Sequence, residues 1–572
     1  MKLLTNNSAT GFAAAVLVSA CSPGRSVTPV PVPVPTRTPV TVARAPVPTP
    51  NPKLPPIPEA RGPLIIKVQY PGAGDLVNAK DSNFIHGQVG NGDAALSING
   101  VLSPVWPNGA FMGWLPVPVP TPSTDSLGRQ VMLGVYELVA VVGGDTARLR
   151  HTVRLPLPAS TPPIIVEPRE PTPVAQPTYA AVGATKAPTP LKGTQSAKCF
   201  GAIPVCSLAP PVLSDTDRVV IGRPSPAGTY KWFLLSGTSV QVIATQGDFA
   251  QVQLDNGQVT WIAKSDLNLA AAASTPTPLS VGPARIDAAG GWVDISFPSS
   301  APPAFLVEET GRGINLTLYS ATPAPNSPST VLSKDSFVSS VQSRGNAGRV
   351  VFSVDLTSAP FGYLSLYQNG VFTLRLRRPP SVDAASPLRG LTIAVDPGHP
   401  PIGATGPTGL WEPQATLPVG FKLRDLLVER GANVIMTRTA HEDVDLAVRP
   451  TVARKNNAHA FVSIHLNALP DGVNPYAAQG TNTYWFYPHS TLLAQSVQRT
   501  LVSEMGLADK GIHYGNFAVI RGTWMPSVLA EGAFIMMPDQ EAAMRTAEYQ
   551  EQYARGIVRG LEDYFRTFAR QK

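Results

Sequence analysis

Between Val27 and Pro58 the chain reads VTPVPVPVPTRTPVTVARAPVPTPNPKLPPIP, with proline at 12 of its 32 positions. Proline fixes φ and brings no N–H, so this stretch can be neither a helix nor the centre of a sheet. It is expected to be an extended polyproline spacer, reaching on the order of 100 Å at about 3.1 Å per residue. A disordered tail with no reach function is the alternative. Similar breaks recur at roughly 168–190 and, as AAAASTPTP, at 270–278. A chain of 572 residues with 61 prolines and 15% charged residues therefore reads as modules on stiff linkers. At about 150 residues per domain, its length allows three to five of them.

The first residues read MKLLTNNSATGFAAAVLVSACSPG. Lys2 is a thin positive start, and the apolar run from Gly11 to Val18 is too short to span a bilayer as a helix. Residues 1–20 are expected to be a signal peptide. The run Val18-Ser19-Ala20-Cys21 resembles the lipobox of bacterial lipoproteins, which implies lipidation of Cys21 and a membrane anchor; an ordinary secretory signal with an incidental cysteine is the alternative. Either way the protein is expected to be exported to the cell envelope or periplasm. Ser22, where aspartate would suggest inner-membrane retention, favours outer-membrane delivery if the cell has an outer membrane. Cys199 and Cys206, in CFGAIPVC, are expected to close a small disulfide loop in an oxidising compartment, because two cysteines alone make a poor zinc site. The net charge of +7 suits a polyanionic partner, but no dense Lys/Arg patch with interleaved aromatics is present, so no nucleic-acid partner is expected.

Residues 21–61 are assigned as the first linker and 161–195 as the second. Between them, 62–160 carries short alternating runs broken by Gly, Asn and Pro, as in LSINGVLSPVWPNGAFMGWLPVPVP, the pattern of a β-sandwich. This segment resembles bacterial immunoglobulin-like wall-protein modules. Residues 196–270 contain TSVQVIATQGDFAQVQLDNGQVTWIAKSDL, with a hairpin signal at Asn256-Gly257, and resemble a bacterial SH3-like barrel. Residues 271–380 are again short strands: WVDISF, INLTLYS, RVVFSVDL, VFTLRLRRPP. Spacers without ligands are the bland reading of all three.

From 388 to 572 the texture changes to alternating strands and helices. LTIAVDP, NVIMTR, FVSIHL, GTNTYWFY, NFAVIR and SVLAEGA read as strands. PQATLPVGFKLRDLLVER, LAVRPTVARKNNA, STLLAQSVQRTLVSEMG and a long segment from Asp539 to Phe568 read as helices. This predicts one α/β domain with a largely parallel, twisted sheet flanked by helices, binding ligands beyond the carboxyl ends of its strands.

Polar residues at those ends carry the chemistry. Six of the eight histidines fall in this domain, and His399 and His465 stand at or just after apolar strands. A catalytic zinc typically takes three protein ligands, often two His and one carboxylate. Glu412, after the glycine-broken loop GATGPTGLW, is a suitable third; alone it would read as a helix-start carboxylate. Glu531 lies inside the apolar run VLAEGAF, where burial beside a metal would suit it to acid–base work and a structural salt bridge is the alternative. Asn467 could orient substrate or only turn the chain. His441 and His459 read as surface residues, His489 has no such placement, and His513 is a rim candidate.

DPGH, then GATG with a following Glu412, then SIHLNA, then P.VL.E.AF resembles the zinc-dependent N-acetylmuramoyl-L-alanine amidases of bacterial cell walls, over about 388–568. The position of 271–380 just before such a domain resembles the AMIN-type β-domain that precedes many of them. The resemblance implies His399, Glu412 and His465 as zinc ligands and Glu531 as the catalytic glutamate. It implies peptidoglycan as partner and hydrolysis of the bond joining muramic acid to L-alanine. Two departures stand out. Pro400 and Pro401 replace the usual glycines and stiffen the loop after the first ligand, and Pro413 and Pro418 are expected to delay or kink the first helix. About 29 residues lie between Tyr487 and Phe517, too few for the long inhibitory insertion of some members, so no activator protein is expected. The competing readings are a zinc peptidase cutting within the stem peptide and a non-catalytic wall-binding lipoprotein.

Overall fold

The computed structural model describes residues 44–49, 51–157, 172–182, 198–199, 205–207, 219–226, 228–268, 278–346 and 348–569. Cys21 and residues 1–20 lie outside them. Two compact units are formed, one from 44–49, 57–156 and 468–478, the other from 51–56, 157–467 and 479–569.

The first unit packs a three-stranded sheet (Lys67–Tyr70, Ser82–Gln88, Ala110–Pro116) and a five-stranded antiparallel sheet around one core that includes Ile85, Leu96, Phe111, Leu138 and Val153. The long strand Gln130–Val142 buries alternate residues, as a strand with one wet face must. Residues 468–478 complete this unit. The Asp471 carboxylate accepts from the Tyr70 hydroxyl, from Asn78 N–H at 2.8 Å and from Asn83 Nδ2 at 3.2 Å.

In the second unit the expected boundary between 196–270 and 271–380 does not separate two sheets. Val219–Gly222 and Trp232–Leu235 continue a seven-stranded sheet through Ala304–Thr310, because Phe233 and Phe305 pair across strands and share a core. The linker expected at 161–195 is also interrupted: Thr172–Val182 is a strand between Ser239–Gln246 and Leu267–Asn268. Its Pro177 falls in the stretch where that register slips, the position at which a strand tolerates proline. The end of the first proline-rich segment is likewise pinned. Asn51 Nδ2 donates to Gly506 O at 2.8 Å, and Leu54 packs on the core of the last domain.

That last domain contains β1 (Thr392–Pro397), α1 (Glu412–Glu429), β2 (Asn433–Met436), α2 (Val448–Lys455), β3 (Ala460–Asn467), β4 (Thr481–Trp485), α3 (Thr491–Met505), β5 (Asp509–Tyr514), β6 (Ser527–Phe534), α4 (Pro538–Met544) and α5 (Ala547–Ala569). The sheet runs β2-β1-β3-β6-β4-β5, parallel except where β4 opposes β6. A small hairpin, Lys198–Cys199 with Val205–Ser207, extends it beyond β2, and Cys199 stands opposite Cys206 in that hairpin. β1, β3 and β6 are almost wholly buried, as parallel strands covered on both faces must be. α1 covers them with Ala415, Val419, Leu423 and Leu427, spaced by four; α5 does so with Tyr549, Tyr553, Ile557, Leu561 and Phe565.

Several local expectations are corrected. The first helix starts at Glu412 without delay, since Pro413 occupies the first turn, where its missing N–H has no partner to lose. NFAVIR is not a strand: Ala518–Ile520 is a single 3₁₀ turn, and the strand lies earlier, at β5. The final helix is two helices, α4 and α5. His459 is not a surface residue; its Nδ1 accepts the Thr392 N–H at 3.0 Å, and burial with the Arg377 charge lowers it to about 4. His489 is buried with its Nδ1 2.6 Å from Glu309. His441 is exposed as expected.

Candidate active site

Three elements converge at the carboxyl end of the sheet. β1 runs into Pro397-Gly398-His399, β3 carries His465 near its end, and α1 opens on Glu412. The chain between His399 and Glu412 makes a glycine-rich loop held from behind by Glu541 of α4. That fully buried carboxylate accepts the N–H groups of Thr408 (2.9 Å) and Leu410 (2.9 Å), and Arg545 reaches it at 3.3 Å. The loop thereby returns Glu412 toward the strand ends.

Nitrogen and oxygen atoms of His399, Glu412 and His465 all lie within 4.8 Å of one another, and among the described residues this is the only such cluster of His, Cys, Asp or Glu. His399 Nε2 is 3.1 Å from Glu412 Oε2, and His465 Nδ1 is 3.1 Å from Glu412 Oε1. The N–H groups of Ala404 and Leu466 donate to the same carboxylate at 3.1 and 3.0 Å. Burial pushes the Glu412 carboxyl up, but hydrogen bonds and charge from the two imidazoles outweigh it and hold the group well below its ordinary value. Burial lowers His465 against the pull of Glu412. The set thus includes an ionised carboxylate and, in His465, a ring that burial biases toward the neutral form in which imidazole ligates zinc.

Glu531 stands beside His465, its register partner on β6. Its side chain is 4% exposed, and Oε2 has no hydrogen-bond partner. Burial first, then the negative charge of Glu412, raises its pKa well above the ordinary carboxylate value. A buried, unpartnered carboxylate oxygen is costly and needs a partner the protein chain does not supply. The residues fit a dication there: three converging donors, and beside them a carboxylate whose proton affinity is set by the local charge.

Close packing defines these positions. A Cβ on Gly398 would lie 2.4 Å from the His465 ring, and one on Gly532 would lie 2.4 Å from the Tyr553 ring. The Tyr553 hydroxyl accepts the Gly532 N–H at 2.9 Å and lies 3.0 and 2.8 Å from the carbonyls of His465 and Ala530, tying β3 to β6 beside the site.

Asn467 Nδ2 donates to Asn482 Oδ1 at 3.3 Å. Burial and the charge of Glu531 raise the Tyr484 phenol, while hydrogen bonds from Asn482 and Asn467 pull it back. Asn482 pairs with Glu531 across β4 and β6, so these three residues form a polar row along the glutamate. His513 is exposed, bonds Lys510 O at 2.8 Å, and its ring lies 5.6 Å from that of Tyr484, its register partner.

Sequence reasoning missed Asn482, Tyr484, Glu541 and two buried arginines, Arg438 and Arg449. Arg438 stands two residues past the end of the apolar strand β2, and that position beyond a strand's carboxyl end was the available signal. Burial and the Arg449 charge lower Arg438 to about 10, so it stays charged at neutral pH. Asp396, also buried, is nevertheless held below its ordinary value by Arg449, Ser463 and Thr437.

Residues 393–563 match the family model described as N-acetylmuramoyl-L-alanine amidase. Over 198 residues the chain is 37% identical to the uncharacterized protein YqiI of Bacillus subtilis, covering 93% of that protein and 34% of this chain. It is 33% identical over 187 residues to N-acetylmuramoyl-L-alanine amidase LytC of the same organism, covering 37% of LytC and 32% of this chain. With the probable cell wall amidase LytH of Staphylococcus epidermidis it shares 33% over 186 residues, covering 61% of LytH and 32% of this chain. Among solved structures, an N-acetylmuramoyl-L-alanine amidase from Clostridium difficile is 33% identical, with 97% of that chain and 31% of this one covered at a TM-score of 0.29. Among the described residues no helix is long and apolar enough to cross a membrane.

Proposed function

The chain belongs to the N-acetylmuramoyl-L-alanine amidase family of peptidoglycan hydrolases, and from that premise we propose that it cuts the amide bond between N-acetylmuramic acid and L-alanine with zinc held by His399, Glu412 and His465. The observation that carries this reading is the buried His/Glu/His cluster beside a glutamate with an unpartnered oxygen. Zinc in such a site supplies a Lewis acid for the scissile carbonyl and lowers the pKa of water.

Glu531 takes the proton of the attacking water and returns it to the departing alanine nitrogen, a role suited to a buried carboxyl of raised pKa. Glu412 and its N–H donors keep both imidazoles oriented, and Asn467, with Asn482 and Tyr484, lies where the stem peptide would pass Glu531. The connection between β4 and β6 holds α3, β5 and two 3₁₀ turns, Pro488–Ser490 and Ala518–Ile520, which supports activity without an added activator.

We further propose a lipid anchor at Cys21, a Cys199–Cys206 disulfide, and wall-binding roles for the immunoglobulin-like, SH3-like and AMIN-like regions in the cell envelope. Two observations support these: the lipobox-like sequence, and the cross-strand placement of the cysteines. The activity is tested by dinitrophenylating the products of peptidoglycan digested by the full chain and hydrolysing them. Dinitrophenyl-alanine is expected; a new N-terminus on another stem residue would make the enzyme a peptidase, and none at all from zinc-loaded protein would leave a binding protein.

A further inference from the structure

The turn that presents His399 is built from residues poorly equipped to hold themselves. Of 397–401, Pro397, Pro400 and Pro401 have no N–H, so the turn can be fastened mainly through its carbonyl oxygens. His399 also sits at φ 60°, a left-handed conformation that a non-glycine residue holds only when its surroundings impose it.

Two guanidinium groups, each 1% exposed, supply what the turn lacks. Arg449 donates to Pro397 O at 3.1 Å, His399 O at 3.1 Å and Pro400 O at 3.3 Å, while it pairs with Asp396 Oδ1 at 2.8 Å. Arg438 donates to Pro397 O at 2.7 Å and Gly398 O at 3.0 Å. It also donates to Pro413 O at 3.1 Å and Thr416 Oγ1 at 3.0 Å, at the start of α1. Four consecutive carbonyls, 397 to 400, therefore point at two donor-only side chains. Arg438 bridges the His399 turn to the start of the helix that carries Glu412. Asp396 anchors Arg449 in turn, and is itself fixed by Ser463 Oγ at 2.6 Å and Thr437 Oγ1 at 2.5 Å.

We propose that Arg449 and Arg438 are positioning residues for the metal site, a guanidinium clamp that fixes His399 relative to Glu412. Geometry decides against a merely structural charge pair. Neutralising Asp396 needs one cation, whereas the fork of each arginine spends most of its donors on the ligand-bearing turns. Lysine keeps the charge but presents one compact ammonium, which cannot span two carbonyls of the turn in fixed directions.

This inference rests on the zinc reading, and the test separates the two. Full-length wild type, R449K and R438K are compared metal-free and on titration with zinc against a competing chelator, and with cobalt by visible absorption. Wild type is expected to bind one zinc per chain. In both variants zinc affinity is expected to fall roughly 10- to 100-fold, as for other groups that orient metal ligands, and the cobalt bands to shift. The circular dichroism of the metal-free protein stays unchanged, and kcat falls more than KM rises. Folded variants with wild-type zinc affinity and an unshifted cobalt spectrum would overturn the clamp while leaving the zinc site standing. Absence of zinc binding in wild type would overturn the site itself. Should R449K not fold, R438K, which leaves the Asp396 pair intact, is read by the same criteria.

Discussion

Replacing Gly398 by alanine tests how tightly the proposed metal ligands are held. Gly398 does not have a left-handed φ, so alanine meets no backbone penalty and the perturbation is purely steric. Its Cβ would lie 2.4 Å from Cε1, 2.5 Å from Nε2 and 2.7 Å from Nδ1 of His465, where ordinary contact begins at 3.4 Å. The imidazole must therefore retreat by 3.4 − 2.4 = 1.0 Å, or the β1 turn must move by the same amount. Metal–ligand distances tolerate only about 0.2 Å, so a shift of this size detaches or distorts one ligand. A misplacement of about 1 Å at a reacting centre costs on the order of 10²-fold in rate, whereas overpacking of this kind costs only about 1–3 kcal/mol of stability. In G398A, turnover of dye-labelled peptidoglycan is expected to fall at least about 100-fold. Zinc affinity should fall in the chelator competition, with thermal unfolding still cooperative. A G398A protein with wild-type zinc affinity and turnover would refute the geometry on which the site is built.

Three further outcomes are expected. E531Q should lose activity by roughly 10²- to 10⁴-fold while its melting temperature holds or rises, because the substitution removes a buried carboxylate with an unpartnered oxygen; calorimetry beside the activity assay checks both. E541Q should turn an amide donor toward the Thr408 and Leu410 N–H groups and destabilise the loop before Glu412 by about 1–3 kcal/mol, seen as faster hydrogen exchange over 403–411 and weaker zinc binding. His86 is wholly buried and lowered by burial from 6.5 to about 3, so above pH 6.5 it adds no pH dependence. Below 6.5 the unfolded chain takes up a proton that the folded one refuses, and stability falls by about 3 kcal/mol by pH 4. Urea melts of the full chain should show the unit around 57–156 losing stability across that window, and H86Q should flatten the loss.

Much of the last domain was legible because its buried strands are continuous apolar runs bounded by turn residues. LTIAVDP and FVSIHL cannot lie anywhere but inside a covered sheet, and α3 ends where Gly506 takes φ 69°. The cluster of His399, Glu412 and His465 was legible for the same reason, since each of its residues stands where such a run or helix begins or ends. β5 was missed because DKGIHY is polar, a half-exposed edge strand whose pairing comes from its neighbour β4. The strand Thr172–Val182 was hidden by its prolines, and the shared seven-stranded sheet by a proline-rich break that separates its strands in sequence but not in space. Arg438 and Arg449 belong to a different class of omission. Arg438's place just past a strand's carboxyl end was a signal, but the backbone carbonyls that both guanidinium groups meet leave no mark in the sequence.

The central claim is most directly tested by mass spectrometry of products from purified peptidoglycan incubated with the full chain, with and without a zinc chelator, beside an H399A variant. The account predicts intact stem peptides beginning at L-alanine and peptide-free glycan chains, both abolished by chelator and by H399A. Internally cut peptides, or release that persists through chelation and H399A alike, would contradict it.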